Sequence, residues 1–445
     1  MNSIMKQIFG TDGVRGIVNK ELTPKLALEL CMSLGTFIDG GGVAIGRDTR
    51  ISGEMFKNAA ISGLLATGCK VVDLGIAPTP AIDYYVRDEM DAGIIITASH
   101  NPREYNGLKF IARDGIGFNR EEERKIEKIY NEKNFRNAEW DGTGALSTND
   151  AIQRYKDGIK KLVNVEKIQK RNFKVVVDTG CGAGGIVTPS LLRELGCTVI
   201  TLNAQLDGTF PKRPPEPTGE VLGDLITLVK RSGADLGVAH DGDADRVVFV
   251  DENGSFVSED VSLAICAKDA LQERKGIVVT PVSSSLCVKD VVEQYGGNLV
   301  WTPIGSIHVA RKMIELGAVF GGEGNGGLIF PKHQYCRDGA MAVAKVLEMI
   351  CEKRMSQLVE EIPRYYNVKK KVKVIDKEGV METVLGKLKN NIDATDGVKI
   401  WYEEGWVLIR PSGTEPIIRI YAESKSKERV NELAQDGINL IKQVS

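Results

Sequence analysis

One pattern recurs three times along the chain and restricts its fold more than any other feature. In the first copy GGVAIGRDTR runs into a helix-period stretch and then GCKVVDLG, Gly68 to Gly75. In the second, FKVVVDTGCGAGG leads through TPSLLREL to GCTVITLN, Gly196 to Asn203. In the third, GIVVTPVSSS leads through LCVKDVVEQY to GGNLVWTP, Gly296 to Pro303. Each copy is an apolar strand, a small-residue turn, an amphipathic helix, a glycine stop and a second apolar strand. That is the βαβ arrangement, whose parallel strands are covered on both faces and so read as continuous apolar runs. Three such copies imply three related α/β domains.

The C-terminal stretch breaks the pattern. After Pro363 come KKKVKVIDKEG, then DGVKIWYEEGWVLIRPSGTEPIIRIYAES, then the helix-period run ERVNELAQDGINLIKQV. Paired strands with glycine-containing turns, flanked by helices, make a small α+β domain. A chain of 445 residues is in any case too long for one core. The expected fold class is therefore α/β: three related α/β domains with mixed or parallel sheets over 1–150, 151–252 and 253–366, and a smaller α+β domain over 367–445. Domains of this kind are expected to move relative to one another.

Charge narrows the choice of ligand. With 58 basic against 60 acidic residues and a pI of about 6.2, no global basic field draws the chain to nucleic acid or anionic lipid. Neither is expected as a partner, and an anionic ligand must be held by local groups. The 8 cysteines contain no CxxC pair, which reads as free thiols in a reducing compartment and not as a disulfide frame or zinc site. MNSIMKQIFGTDG lacks a signal-type apolar core, and no run approaches a membrane span. A soluble, cytoplasmic protein is expected.

The strongest chemical signal is Asp241-Gly242-Asp243-Ala244-Asp245-Arg246, between the apolar runs ADLGVA and VVFVD. Alternate residues of an extended segment share one face, so the three carboxylates converge. Held that close they repel unless a cation neutralises them, and hard oxygen ligands suit Mg2+. A calcium loop of the EF-hand kind is excluded, because its sixth position needs glycine and holds Arg246. Gly180 to Gly185, GCGAGG, matches GxGxxG after a strand, but the next strand ends in Asn203 and not in an acid, so these glycines read as a structural βα turn.

Other segments carry weaker signals. IIITASHNP, Ile94 to Pro102, delivers Ser99 and His100 from an apolar run into a turn closed by Asn-Pro. Consecutive side chains point apart on extended backbone, so His100 is not expected to activate Ser99. RPSGTEP, Arg410 to Pro416, offers a guanidinium, hydroxyls and backbone N–H groups to an anion, and equally describes a hairpin turn. GGEGNGG, Gly321 to Gly327, sets Glu323 and Asn325 among glycines that admit close backbone approach. GTDGVRG places Arg15 near the N-terminus, and Lys109 of NGLKF follows Ser99 by ten residues.

In this order GTDGVRG, TASHNP, DGDADR, GGEGNGG and RPSGTEP resemble the successive motifs of the α-D-phosphohexomutase superfamily, over essentially the whole chain. The resemblance implies four domains around a central cleft and an isomerase that moves phosphate between O6 and O1 of a hexose. It implies a phosphoserine at Ser99, with His100 shaping its loop, and one Mg2+ held by Asp241, Asp243, Asp245 and the Ser99 phosphoryl group. Arg15 and Arg246 are implied near the phosphoserine, Lys109 as a general base, and Glu323 and Asn325 on ring hydroxyls. Arg410, Ser412, Gly413 and Thr414 are implied to clamp the phosphate that is not reacting. A sugar 1,6-bisphosphate serves as intermediate and activator, and the chain is a monomer or homodimer.

Within the superfamily, Asp12 of GTDGVRG is similar to the phosphoglucosamine mutases, and the sugar loop is most similar to archaeal members. Asn325 and Gly327 stand where many members have Ser and His, and Ser306 where bacterial glucosamine enzymes carry Asp. The expected substrate is glucosamine phosphate. The alternatives are a glucose, mannose or pentose phosphate mutase, a phosphatase using Ser99, or a sugar-phosphate binder without turnover.

Overall fold

All three recurrent segments close as parallel strand pairs. In a computed structural model describing residues 8–10, 12–388, 391–412 and 417–444, Val43 lies opposite Val71, Val175 opposite Val199, and Val278 opposite Leu299. The intervening helices are Gly53–Ala66, Gly184–Glu194 and Leu286–Gln294. The chain divides into two compact units, Met1–Ser262 with Asn325–Val359, and Leu263–Gly324 with Glu360–Ser445. The segment 253–366 contributes to both.

The first unit holds two large sheets. One contains β1 (Val14–Ile17), β2 (Gly42–Arg47), β3 (Lys70–Ile76), β4 (Ala92–Ile96), β5 (Tyr105–Ala112) and β6 (Leu146–Thr148), in the order β1-β5-β4-β2-β3-β6. The other contains β7 (Lys174–Asp178), β8 (Thr198–Leu202), β9 (Leu236–His240), β10 (Val247–Val250) and β11 (Phe256–Val257), in the order β11-β10-β9-β7-β8. Both sheets are mixed: β5 runs antiparallel to β4, and β10 antiparallel to β9. β4 is buried along its whole length, which is why its sequence does not alternate.

These antiparallel pairs position the chemistry. β4 ends at Ile96, just before the serine turn, and β5 returns beside it with Lys109 opposite Ile95. His240 pairs with Val247, so residues 241–246 close the β9–β10 hairpin and their three aspartates are held at one end of the sheet.

The second unit has β12 (Ile277–Pro281) between β13 (Asn298–Thr302) and β14 (Phe320–Glu323), all parallel at β12. After β15 (Gly327–Ile329), which belongs to the first unit, its second sheet is β16 (Tyr366–Lys373), β20 (Ile417–Ser424), β19 (Gly405–Pro411), β18 (Val398–Tyr402) and β17 (Ile392–Asp393), in that order and antiparallel throughout. This is the α+β domain expected from the sequence, with the helix Lys427–Lys442 laid on it. No described helix is long and apolar enough to cross a membrane.

A lysine joins the two sheets of the second unit. Lys399, 1% exposed, donates from Nζ to the Val282 carbonyl at 2.7 Å. The same ammonium lies 4.0 Å from the Trp406 ring, 4.3 Å from Trp401 and 4.7 Å from Trp301. Three indole faces partly replace the water that the charge has lost. Lys399→Met keeps the stem but strands the Val282 carbonyl and removes the cation, and is expected to destabilise this unit by about 2 kcal/mol. Because three of the four tryptophans surround the site, tryptophan fluorescence in a urea titration reads the loss directly, as a lower transition midpoint.

Candidate active site

Ser99 sits fully buried in the turn after β4, in left-handed backbone with φ 48°. A non-glycine residue there is strained, and the turn is held against that strain from below. Ser99 N donates to Thr97 Oγ1 at 2.8 Å, and Thr97 Oγ1 donates to Asp48 Oδ2 at 2.7 Å. Arg50, itself 1% exposed, bonds Asp48 through Nε at 3.1 Å. It spends its remaining donors on the turn: Nη2 on the carbonyls of Ser99 (2.8 Å) and Asn101 (2.7 Å), Nη1 on those of Pro102 (2.7 Å) and Tyr105 (2.8 Å). The rigid planar fork of arginine suits this task; a lysine ammonium has too few donors.

The serine hydroxyl faces the aspartate loop. Ser99 Oγ donates to Asp241 Oδ2 at 2.7 Å, whereas His100 Nδ1 lies 3.5 Å away. Burial, with Arg246 and Arg15 nearby, pushes the His100 pKa down to about 2, so the ring is neutral. His100 therefore lines the turn, and Asp241 is the group in contact with the serine.

Asp241, Asp243 and Asp245 are at most 2% exposed and offer ligand atoms within 4.8 Å of one another. Ala244 between them takes φ 56°. His240 braces the loop, its Nδ1 3.0 Å from the Arg246 carbonyl and its Nε2 2.9 Å from Thr188 Oγ1. The glycines of GCGAGG serve the same loop. Ala183 N donates to the Gly242 carbonyl at 3.0 Å, and a side chain at Gly182 would meet that oxygen at 2.5 Å. They are packing glycines.

Each carboxylate oxygen has a distinct assignment. Asp243 Oδ2 accepts from Thr79 Oγ1 at 2.7 Å and from Lys109 Nζ at 3.0 Å. Asp245 Oδ2 accepts from Arg337 Nη2 at 2.5 Å and Lys109 Nζ at 3.3 Å. Asp243 Oδ1 and Asp245 Oδ1 are buried with no hydrogen-bond partner. Two orphaned anionic oxygens beside a third carboxylate are the donor set of a hard divalent cation, so the residues present fit a metal site.

The electrostatics follow the same division. Burial pushes Asp241 well above the carboxylate range, aided by Asp243 and Asp245. For Asp243 and Asp245 burial acts in the same direction but is outweighed, chiefly by Lys109 for the first and Arg337 for the second, so both lie low. Lys109 is 3% exposed; burial lowers its pKa, but Asp12, Asp243 and Asp245 outweigh that and leave it raised, an ammonium. Asp12 Oδ2 lies 3.3 Å from Lys109 Nζ and 2.5 Å from Arg15 Nη2, and its pKa sits at about 2, burial being overcome by Lys109, Arg15 and Arg337.

Arg15 also donates to Asn101 Oδ1 at 3.1 Å, tying β1 to the serine turn. Arg246 N donates to Asp241 Oδ1 at 3.2 Å while its buried Nε has no hydrogen-bond partner. Asn325 Oδ1 accepts from Gly327 N at 3.1 Å, and Gly326 O accepts from Val247 N at 2.9 Å, so this loop lies on the start of β10. The first unit thus brings together Arg15, Ser99, His100, Lys109, Asp241, Asp243, Asp245 and Arg246.

In the second unit Glu323 is buried at the end of β14. Arg410 Nε bonds Asp396 Oδ1 at 2.7 Å, and Ser412 receives Lys377 Nζ on its carbonyl at 2.6 Å. Gly413 and Thr414 lie outside the described residues. Sequence reasoning missed Asp12, Asp48, Arg50, Thr79, Thr97 and Arg337 as members of the site. For Asp48 and Arg50 a signal existed, two charges packed into the end of a buried strand in GRDTR.

Known proteins match the chain over almost its whole length. Four models of the phosphoglucomutase/phosphomannomutase family match it: alpha/beta/alpha domain I over residues 6–137, domain II over 153–254, domain III over 258–366, and the C-terminal domain over 351–439. A phosphoglucomutase/phosphomannomutase of Thermococcus kodakarensis is 46% identical over 99% of each chain. A probable phosphoglucosamine mutase of Methanopyrus kandleri is 43% identical over 98% of each. The crystal structure of a phosphoglucomutase/phosphomannomutase family protein from Burkholderia thailandensis superposes with a TM-score of 0.89 at 27% identity, covering 98% of this chain and 97% of that one. With its motifs in order and its site assembled on the matching domains, the chain belongs to the phosphoglucomutase/phosphomannomutase family and is a phosphohexomutase, an isomerase.

Proposed function

We propose that the chain interconverts glucosamine 6-phosphate and glucosamine 1-phosphate through a phosphoserine at Ser99 and a glucosamine 1,6-bisphosphate intermediate. The observation that carries the phosphoserine reading is Ser99 Oγ itself, in strained backbone and 2.7 Å from Asp241 of a three-aspartate loop with two orphaned oxygens. In the first half-reaction a sugar oxygen bonds to phosphorus as the bond from Ser99 Oγ to phosphorus breaks; in the second, Ser99 recovers a phosphoryl group from the other end of the bisphosphate.

Asp241, Asp243 and Asp245, with an oxygen of the Ser99 phosphoryl group, are the proposed holders of one Mg2+. When bound, that ion supplies positive charge against the phosphoryl oxygens as charge shifts in transfer. Protons must balance too: the attacking hydroxyl loses one, and Ser99 Oγ gains one when it leaves. Lys109 is the proposed carrier, at the floor of the site with Asp12, Asp243 and Asp245 around its ammonium. Arg15 and Arg246 hold the phosphoserine region. Glu323 and Asn325 are assigned to ring hydroxyls, and Arg410, Ser412, Gly413 and Thr414 to the phosphate at rest. His100 shapes the serine turn without acting as a base.

Support for the amino sugar comes from Asp12 in the GTDG segment and from relatives such as that of Methanopyrus kandleri. The name of the Thermococcus kodakarensis relative favours a second reading, a glucose or mannose phosphate mutase working by the same chemistry.

Ser99→Ala is expected to lower kcat/KM for isomer conversion by about a thousandfold or more, roughly 4 kcal/mol of transition-state stabilisation. Isomer conversion and free phosphate are to be measured together; retained conversion refutes the phosphoserine, and phosphate release without conversion makes the wild type a phosphatase. For the sugar, kcat/KM is compared across the 1- and 6-phosphates of glucosamine, glucose and mannose. A preference for glucosamine by about a hundredfold, roughly 2.7 kcal/mol, is expected. Near-equal values mean that the site ignores the group at C2.

A further inference from the structure

Arg337 enters the aspartate cluster from a backbone held by hydrogen bonds on either side. Residue 338, next in the chain, donates its N–H to the Leu328 carbonyl at 2.9 Å, and Ile329 and Arg337 form an antiparallel bridge. The Asp338 carboxylate caps the helix Gly339–Ile350 at Met341 N (2.9 Å) and accepts from Tyr155 Oη (2.5 Å) and Gln334 Nε2 (2.8 Å). From this anchor the Arg337 side chain, 7% exposed, reaches Asp245 Oδ2 at 2.5 Å and Asp12 Oδ2 at 3.5 Å.

Its path runs through space that another residue has left vacant. A Cβ added at Gly327 would stand 2.2 Å from Arg337 Cδ and 2.9 Å from Cγ, inside the aliphatic stem. Gly327 has an ordinary backbone conformation, since it is absent from the positive-φ glycines among the described residues. Glycine is needed here for volume and not for its torsions.

We infer that Arg337 is a positioning residue of the cation site and that Gly327 is the residue that admits it. The inference rests on the reading that the three aspartates hold a divalent cation. Arg337 and Lys109 both occupy Oδ2 of Asp245, while its Oδ1 is buried with no hydrogen-bond partner. Asp245 would therefore hold a cation through one oxygen. Mg2+ demands near-octahedral geometry and gains from it, whereas Ca2+ accepts bidentate carboxylates and irregular shells. Arg337 therefore selects which ion the cluster prefers, acting through the orientation of Asp245.

The test is calorimetric titration of the full chain with MgCl2 and with CaCl2, no substrate present. In Arg337→Met the Mg2+ dissociation constant is expected to rise about tenfold, the usual size for loss of an outer-shell partner, while Ca2+ affinity holds or improves. Gly327→Ala, whose methyl displaces the Arg337 stem, is expected to shift the Mg2+/Ca2+ preference in the same direction, and to add nothing in the Arg337→Met background. If Arg337 acted only as a nearby positive charge, its removal would tighten both ions alike, and that result overturns the inference. Unchanged constants in folded Gly327→Ala overturn it as well, and that milder variant decides the matter should Arg337→Met fail to fold. A wild type that binds no Mg2+, or binds it equally as Asp243→Asn, sinks the cation-site reading beneath the inference.

Discussion

Three aspartates buried within 4.8 Å of one another cannot share a site without opposing charge, and the first unit is built around supplying it. Lys109 arrives on β5, Arg337 from the segment before a helix, Arg246 from the loop's own end, and the hydroxyl of Thr79 from the first turn of a helix. These partners do not use every oxygen: burial, with Asp243 and Asp245 beside it, holds the Asp241 pKa high, and Asp243 Oδ1 and Asp245 Oδ1 are buried with no hydrogen-bond partner. Those oxygens are where a hard cation beside a phosphoryl group would be held.

The serine turn is controlled by a separate device. Asp48 and Arg50 lie two residues apart at the end of β2, both shielded from solvent, and Arg50 distributes its guanidinium over four carbonyls of a single turn. Removing the guanidinium would leave Asp48 as a buried charge and those carbonyls unbonded, so the network either holds entire or fails. Such a network stabilises a left-handed serine that local sequence preferences disfavour.

Much of this was legible beforehand. The βαβ repeats are local patterns, and their strands paired in parallel as the apolar runs imply. The aspartate loop was legible from its spacing, but its carboxylates converge through a turn with Ala244 at φ 56°, and not by the alternation of an extended segment that the sequence suggested. The roles of Arg50 and Arg337 were not, since each acts on residues distant in sequence: Arg50 on the turn at Ser99 to Tyr105, Arg337 on Asp245. An arginine in isolation reads as surface charge. Gly327 reads from the sequence as one of several loop glycines and as a departure from members that carry His, whereas its reason is steric: Arg337 fills the volume a side chain would take. Lys109 is expected from the sequence as a general base; its three carboxylate neighbours raise its pKa, so in the proposed cycle it would give a proton to Ser99 Oγ and take one from the attacking hydroxyl.

The glycines set how closely the two loops approach. A Cβ at Gly242 would meet the Ser99 carbonyl at 2.7 Å, and one at Gly182 would meet the Gly242 carbonyl at 2.5 Å. Serine turn, aspartate loop and the GCGAGG turn are therefore stacked backbone on backbone, with no side chain between them. The 2.7 Å contact from Ser99 Oγ to Asp241 follows from that stacking. Any side chain at Gly242 or Gly182 would push the loops apart and separate the hydroxyl from the carboxylates. Both parts of the site would then survive individually, and their alignment, which phosphoryl transfer needs above all else, would be lost.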